Sequence, residues 1–205
     1  MLDFMLKGGP LMAPIILCSV ISVAIMIERG YVFYRARSGL THHLELIRIS
    51  LADTGRISSP LRASLPESLL ALVNTETDNS GTPREHREHG LSRVASGIIR
   101  DLEKHLRGLA IIGSITPIIG LLGTVTGMIR AFMAIQDLGG QVDASVLAGG
   151  IWEALITTAA GLAVAIPTQI AYHYFEGRAD DIAEQIHDTC HELLDRNKSA
   201  GEQAN

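Results

Sequence analysis

The sequence predicts an all-α integral membrane protein with three transmembrane helices, and three observations carry that prediction. The first is three stretches without Asp, Glu, Lys or Arg: Gly8 to Ile27, Gly108 to Ile129 and Ala154 to Phe175, of 20, 22 and 22 residues. A helix of about 20 apolar residues crosses the ~30 Å hydrocarbon layer of a bilayer. The second is that the other 141 residues hold all 17 Lys and Arg and all 22 Asp and Glu. The third is that the nine aromatic residues gather at the ends of the apolar stretches: Tyr31, Phe33 and Tyr34; Tyr172, Tyr174 and Phe175; and Phe4, Phe132 and Trp152. Amphipathic rings favour membrane interfaces. This distribution argues against a soluble enzyme and against disorder, and a net charge of -5 gives no reason to expect a nucleic-acid partner. Cys18 and Cys190 are too few for a disulfide framework.

Taken in order, residues 1–9 form a short outer segment and 10–29 the first span. Its apolar run exceeds the 7–15 residues of a signal-peptide core and is closed by Glu28 and Arg29, so it is expected to remain as an anchor. Residues 30–107 form a helical loop holding most of the basic residues. Near the membrane the segment from Glu28 to Arg107 keeps Arg29, Arg35, Arg37, Arg93, Arg100, Lys104 and Arg107 against Lys7 and Arg130 on the other side. The positive-inside rule therefore places this loop in the cytoplasm and the N-terminus outside. From Arg35 to Arg130 there is no aromatic residue, so the loop lacks the core volume of an independent domain. Leu44 to Ala52 and Leu61 to Thr75 read as short helices separated by Thr54-Gly55 and Ser58-Ser59-Pro60, and Asn74 to Thr82 as a mobile loop. Thr82-Pro83-Arg84-Glu85 is a capping box. Leu91, Val94, Ala95, Ile98, Leu102, Leu106 and Leu109 follow at helical spacing. This predicts one helix from Pro83 to about Gln136, roughly 80 Å long, running into the second span. The second span is 108–132, the outer loop 133–151, the third span 152–175 and the cytoplasmic helix and tail 176–205. Ile182, Ile186, Cys190 and Leu193 extend the apolar stripe of the third span, so the second and third helices both reach far into the cytoplasm.

The spans carry small and hydroxyl residues in rows. Gly113, Thr116, Pro117, Gly120, Thr124, Gly127 and Ala131 make one face of the second span, with Gly123 and Gly127 as a GxxxG on a neighbouring stripe. Such faces admit close approach of another helix. On the third span Thr158 shares a face with Gln169, and Thr157, Gly161 and Thr168 line the adjacent one. Each threonine taken singly is explained by bonding its own helix backbone. Several hydroxyls on two consecutive spans point further, to a narrow polar passage. No span interior carries an ionisable Asp, Glu, Lys or Arg, although proton paths ordinarily use one. A titrating carboxylate for such a path must then come from a partner, with Glu153 at the start of the third span as the chain's own nearest acid. Glu153 is equally explained as an acid favoured by the helix N-terminus.

Two histidine groups, Glu85/His86/His89 and His187/Cys190/His191, have spacings able to hold a soft metal, but they lie on predicted solvated helices and no metal is assigned. No cofactor is expected. The tail, with eight acidic residues against three basic, reads as a solvated face. HExxH, G-x-S-x-G and phosphate-loop patterns are absent, so the chain is not read as an enzyme.

Ser114 to Met128 resembles the Pro-x-x-Gly-Leu-x-Gly-Thr-Val-x-Gly signature of the ExbB/TolQ/MotA proton-channel family through Pro117, Gly120, Leu121, Gly123, Thr124, Val125 and Gly127. Gly149 to Leu162, followed by Ala165-Ile166-Pro167, is similar to the same family's Gly-Ile-x-Glu-Ala-Leu-x-x-Thr-Ala-x-Gly-Leu and downstream Ala-Ile-Pro. The resemblance implies an inner-membrane energy transducer in which a homopentamer surrounds a pore with its second and third spans. It implies an ExbD-like single-span partner supplying a membrane Asp, and a TonB-like protein that carries the work of the proton motive force to outer-membrane import. Thr124 and Thr158 match the family's pore threonines and Glu153 its acid; Thr157, Thr116 and Gln169 are the further pathway candidates. Gly113, Pro117, Gly120, Gly123, Gly127, Gly161 and Pro167 are the packing candidates. Two residues depart from the pattern: Thr126 stands where Trp is frequent and Thr157 where Ala is common. Three spans in 205 residues disfavour the four-span MotA type and leave the TolQ type, of the Tol-Pal envelope system, beside the ExbB type. A non-conducting helical scaffold is the reading from a different class. Threonine oxygens serve Na⁺ as well as H⁺, so the coupling ion stays open at this stage.

Overall fold

A computed structural model describes residues 9–54, 57–78, 84–137 and 144–202, and every regular element among them is helical. The helices are α1 (Met12–Thr54), α2 (Ser59–Ser64), α3 (Glu67–Asp78), α4 (Arg84–Glu103), α5 (Leu106–Asp137) and α6 (Ala144–Glu202). Three stretches are long and apolar enough to cross a membrane: Met12–Tyr34 in α1, and stretches within Glu85–Asp137 and Leu147–Asp195. The expected outer segment 1–9 and outer loop 133–151 fall partly on residues outside this description, among them Phe4, Lys7 and 138–143.

The described residues form two compact units. The first takes its residues from Met1–Glu28 and His105–Tyr174, the second from Arg29–Lys104 and Phe175–Asn205. In the first, α5 turns one face of small residues inward: Gly113, Thr116, Gly120, Gly123, Gly127 and Ala131 are all buried. Beyond the buried Leu106 and Leu109 of its first turn, many of its large apolar side chains point outward, with Ile118, Leu121, Val125, Phe132 and Met133 exposed, and α6 likewise exposes Leu155, Ile166 and Ile170. That inversion of the water-soluble pattern suits helices in lipid, where backbones gain by approaching closely and large side chains gain nothing from hiding. In the second unit the pattern is the ordinary one. Leu44, Ile47, Leu69, Leu72, Leu91 and Ile186 are buried, α3 packs on α4, and Arg48 Nε meets Glu192 Oε1 at 3.1 Å.

Four sequence expectations are corrected. Leu44 to Ala52 is no separate helix, because α1 continues unbroken to Thr54, immediately before Gly55. Leu61 to Thr75 is divided between α2 and α3, since Leu65 is extended (φ -69°, ψ 141°), as the residue before Pro66 is biased to be. The loop expected from Asn74 begins later, because α3 runs to Asp78; 79–83 lie outside the described residues, with Thr82 and Pro83 of the capping box. The single helix expected from Pro83 to Gln136 is two helices. α4 stops at Glu103, and His105 takes φ 65° before α5 begins.

A side chain remote in sequence caps that stop. Arg29, 3% exposed, donates through Nη1 to the carbonyls of Asp101 at 3.2 Å and Leu102 at 3.3 Å. The last carbonyls of a helix have no partner within it and attract a cation. With those acceptors satisfied from α1, the chain can leave the helix. The next helix starts from His105, whose carbonyl accepts from Leu109 N–H at 3.2 Å and whose Nδ1 lies 3.0 Å from Glu28 Oε2.

Two of the aromatics expected at an interface pack on one another. Phe33 and Phe175 are each 7% exposed and stack on one another, centroids 5.4 Å apart and planes 9° from parallel. They belong to the packing of the second unit, whereas Tyr31, Tyr34, Phe132, Trp152 and Tyr174 are exposed.

Candidate functional site

The seam between α5 and α6 in the first unit brings together most of the residues singled out in the two motifs. Its closeness is set by glycine. A methyl group on Gly120 would stand 3.1 Å from Thr158 Cα and 3.3 Å from the Thr157 carbonyl oxygen. One on Gly161 would stand 2.9 Å from the Thr116 carbonyl oxygen and 3.1 Å from Gly120 Cα. These neighbours are backbone and cannot swing aside. Farther along, Gly127 faces Ala154 and Gly150 faces Ala131, so the two helices run antiparallel with small residues in register. Gly123 belongs to the centre of this face, against the Thr157 side chain, rather than to a neighbouring stripe. Pro117 and Thr124 lie at its margin and are only partly buried.

The threonines divide by where their hydroxyls go. Thr116, fully buried, donates to the Ile112 carbonyl at 2.6 Å. Thr124 donates to Leu121 at 2.6 Å, Thr157 to Glu153 at 2.8 Å and Thr168 to Val164 at 2.7 Å. All four bond back into their own helix, as hydroxyls in apolar helices commonly do. Thr158 differs. Its Oγ1 donates 2.8 Å across the seam to the Gly120 carbonyl. Thr124 instead lines an open groove of about 600 Å³ with Val125, Met128, Ile129, Phe132, Met133 and Gln136. The two motif threonines therefore donate to different carbonyls.

Gln169 has a structural partner that its spacing did not announce. Pro117 lacks an N–H, so the Gly113 carbonyl, four residues earlier, loses its helical donor. Gln169 Nε2 lies 3.4 Å from that oxygen. A proline within a span is tolerated where a neighbouring helix supplies the missing donor. Pro167 sits inside α6 in the same way and is exposed.

Glu153 has its side chain 27% exposed and its Oε1 2.6 Å from Arg130 Nη1. Arg130 was visible in the sequence only as one basic residue of the outer side. The available signal was that it ends the second charge-free stretch while Glu153 opens the third, so opposite charges bound two adjacent spans. Of the metal-spaced groups, Cys190 is buried while His187 and His191 are exposed, and among the described residues no three His, Cys, Asp or Glu converge as a metal site.

Comparison with known proteins agrees with this architecture. A profile of the MotA/TolQ/ExbB proton channel family matches residues 57–188. The chain is 30% identical over 190 residues to the biopolymer transport protein ExbB of Neisseria meningitidis, covering 87% of this chain and 86% of that one. It is 30% identical over 213 residues to ExbB of Salmonella typhimurium, covering 94% and 85%. It is 32% identical over 148 residues to the Tol-Pal system protein TolQ of Haemophilus influenzae, covering 72% and 58%. With its antiparallel seam of small residues and its two motif threonines, the chain belongs to the MotA/TolQ/ExbB proton channel family.

Proposed function

We propose that this chain is the proton-conducting subunit of an inner-membrane motor of the ExbB type, coupling the proton motive force to import across the outer membrane. The observation that carries the reading is the cross-seam bond of Thr158. In spans whose interiors hold no Asp, Glu, Lys or Arg, this motif hydroxyl leaves its own helix. A hydroxyl both donates and accepts, so Thr158 and Thr124 can hold a file of water that relays protons. The titrating group is an Asp on an ExbD-like single-span partner seated among five copies of α5 and α6. A TonB-like protein carries the work outward. Residues 30–107 and 176–205 are cytoplasmic and the N-terminus is periplasmic, as the basic residues Arg29, Arg93, Arg100 and Arg107 favour. Thr124, Thr158 and Glu153 form the pathway with Thr157 and Thr116 behind them. Gln169 serves it by keeping the Pro117 turn of α5 satisfied. H⁺ is the coupling ion.

The test is proton flux into proteoliposomes holding this chain with its single-span partner. Thr158→Val removes the hydroxyl at nearly constant volume and is expected to cut flux at least tenfold while the complex still assembles. The partner's membrane Asp changed to Asn is expected to abolish it. Undiminished flux in both variants overturns the pathway. An assembled complex that never conducts favours the non-conducting scaffold. A TolQ-like role in a Tol-Pal system is the second reading, favoured by the 32% identity to TolQ. It is separated by which partner, TonB-like or TolA-like, co-purifies.

A further inference from the structure

The three membrane-length helices of the first unit meet at one small cluster. Gly9, three residues before α1, has φ 69°, and a methyl group placed on it would collide with Glu153 Oε1 and stand 3.5 Å from Arg130 Nη1. Glu153 is on α6 and Arg130 on α5, and their ion pair measures 2.6 Å. Gly9 also starts α1, since its carbonyl accepts from Met12 N–H at 3.2 Å. The seat requires glycine twice over, for the left-handed backbone and for the space the carboxylate fills. Arg130 and Glu153 are also the charges that bound the adjoining apolar runs of α5 and α6, so a cation moving along this seam meets them first at that end.

We propose that Arg130 is the positioning residue of Glu153: its guanidinium draws the carboxylate onto the Gly9 backbone, closes that end of the three-helix unit, and must release Glu153 before the carboxylate can take up a proton from water at that end and pass it to the water held by the threonines, returning to the carboxylate. This rests on the pathway proposed above and adds its gate. The energetics suit a gate better than a permanent staple. The Arg130 side chain is 48% exposed and that of Glu153 27%, and a pair open to solvent on one side is held only weakly. The charge-assisted bond sets the resting position without making it irreversible. Small residues pack beside the pair. Ala131, next to Arg130, is buried against Gly150, and Ala154, next to Glu153, against Gly127, so the helices on either side of the pair stay fixed when it parts.

The experiment uses the full chain with its single-span partner in proteoliposomes and two readouts. Hydrogen exchange at the amides of Met12 and Ala13 reports the clasp itself, because these amides bond to Gly9 and Pro10. Arg130→Gln and Glu153→Gln should each speed that exchange about tenfold, and the reversal Arg130→Glu with Glu153→Arg should restore it. Passive proton flux reports the gate. Arg130→Gln should raise flux severalfold, and adding Glu153→Gln should remove the gain. Exchange unchanged in Arg130→Gln, or not restored by the reversal, overturns the clasp. A flux that Thr158→Val abolishes but Arg130→Gln does not raise overturns the gate and leaves the pathway standing. Flux absent from the wild type and every variant overturns the pathway and the gate together, while the exchange result still decides the clasp.

Discussion

The seam between α5 and α6 in the first unit buries small residues and displays large ones, and the packing of α3, α4 and the distal half of α6 in the second does the reverse. Where α5 meets α6 the buried side chains are Gly113, Thr116, Gly120, Gly123 and Gly127, and leucines and isoleucines of the same helices face outward. Around α3, α4 and the distal half of α6 the largest fully buried side chains are Leu69, Leu91 and Ile186, with Ala95 and Thr189 beside them, while Asp180, Asp181, Glu184 and Asp188 are exposed. The difference teaches which solvent each seam was built against. Water drives large apolar groups together at about 25 cal/mol per Å² buried. Lipid supplies no such drive, so backbone proximity and cross-helix hydrogen bonds have to do the holding. The cross-helix bond from Thr158 to Gly120 belongs to the first regime, and the stack of Phe33 on Phe175 to the second.

Substitutions that test this contrast differ in size. The largest effect is expected from Ile186→Ala, which empties a site with no solvent access and should cost about 2–5 kcal/mol in a denaturant titration followed by proteolysis of the second unit. Next is Gly161→Ala. Its new methyl group would press on the Thr116 carbonyl and should cost about 1–3 kcal/mol, read as a lower melting temperature of the detergent-solubilised chain. In the second unit the same exchange should have the opposite sign. Nothing lies within 4 Å of a methyl group at Gly97 in α4, so Gly97→Ala should raise stability by roughly 0.5–1 kcal/mol through helix propensity. Equal destabilisation by the two glycine substitutions would break the comparison.

The sequence made the three apolar stretches and both motifs legible, because a run of 20 uncharged residues and a fixed glycine spacing are local signals. The centre of the buried face on α5 was displaced by one position. From Gly120 either Gly123 or Thr124 continues a helical row, and the choice falls to Thr157 and Ala154 on the opposing helix. The break at Lys104–His105 had no local signal at all. Neither residue is a helix breaker, and a positive φ at a histidine is sustained only by what surrounds it, here Glu28 at its ring and Arg29 capping the helix before it. Glu28 and Arg29 were visible as charges that close a span; that each also serves the chain more than 70 residues later was not. Arg130 illustrates the same limit, since its pairing with Glu153 depends on how two helices are brought alongside.

The bond from Gln169 to the Gly113 carbonyl has a consequence for biosynthesis. The two residues are 56 apart, so the ribosome delivers the proline-bearing helix well before the side chain that completes it. In the interval α5 carries a carbonyl with no donor of its own, which in hydrocarbon costs several kcal/mol. A helix in that state is better held at the insertion machinery, where water can reach it, than released alone into lipid. α5 and α6 should therefore leave the translocon as a hairpin, and a chain truncated before Gln169 should remain cross-linkable to it.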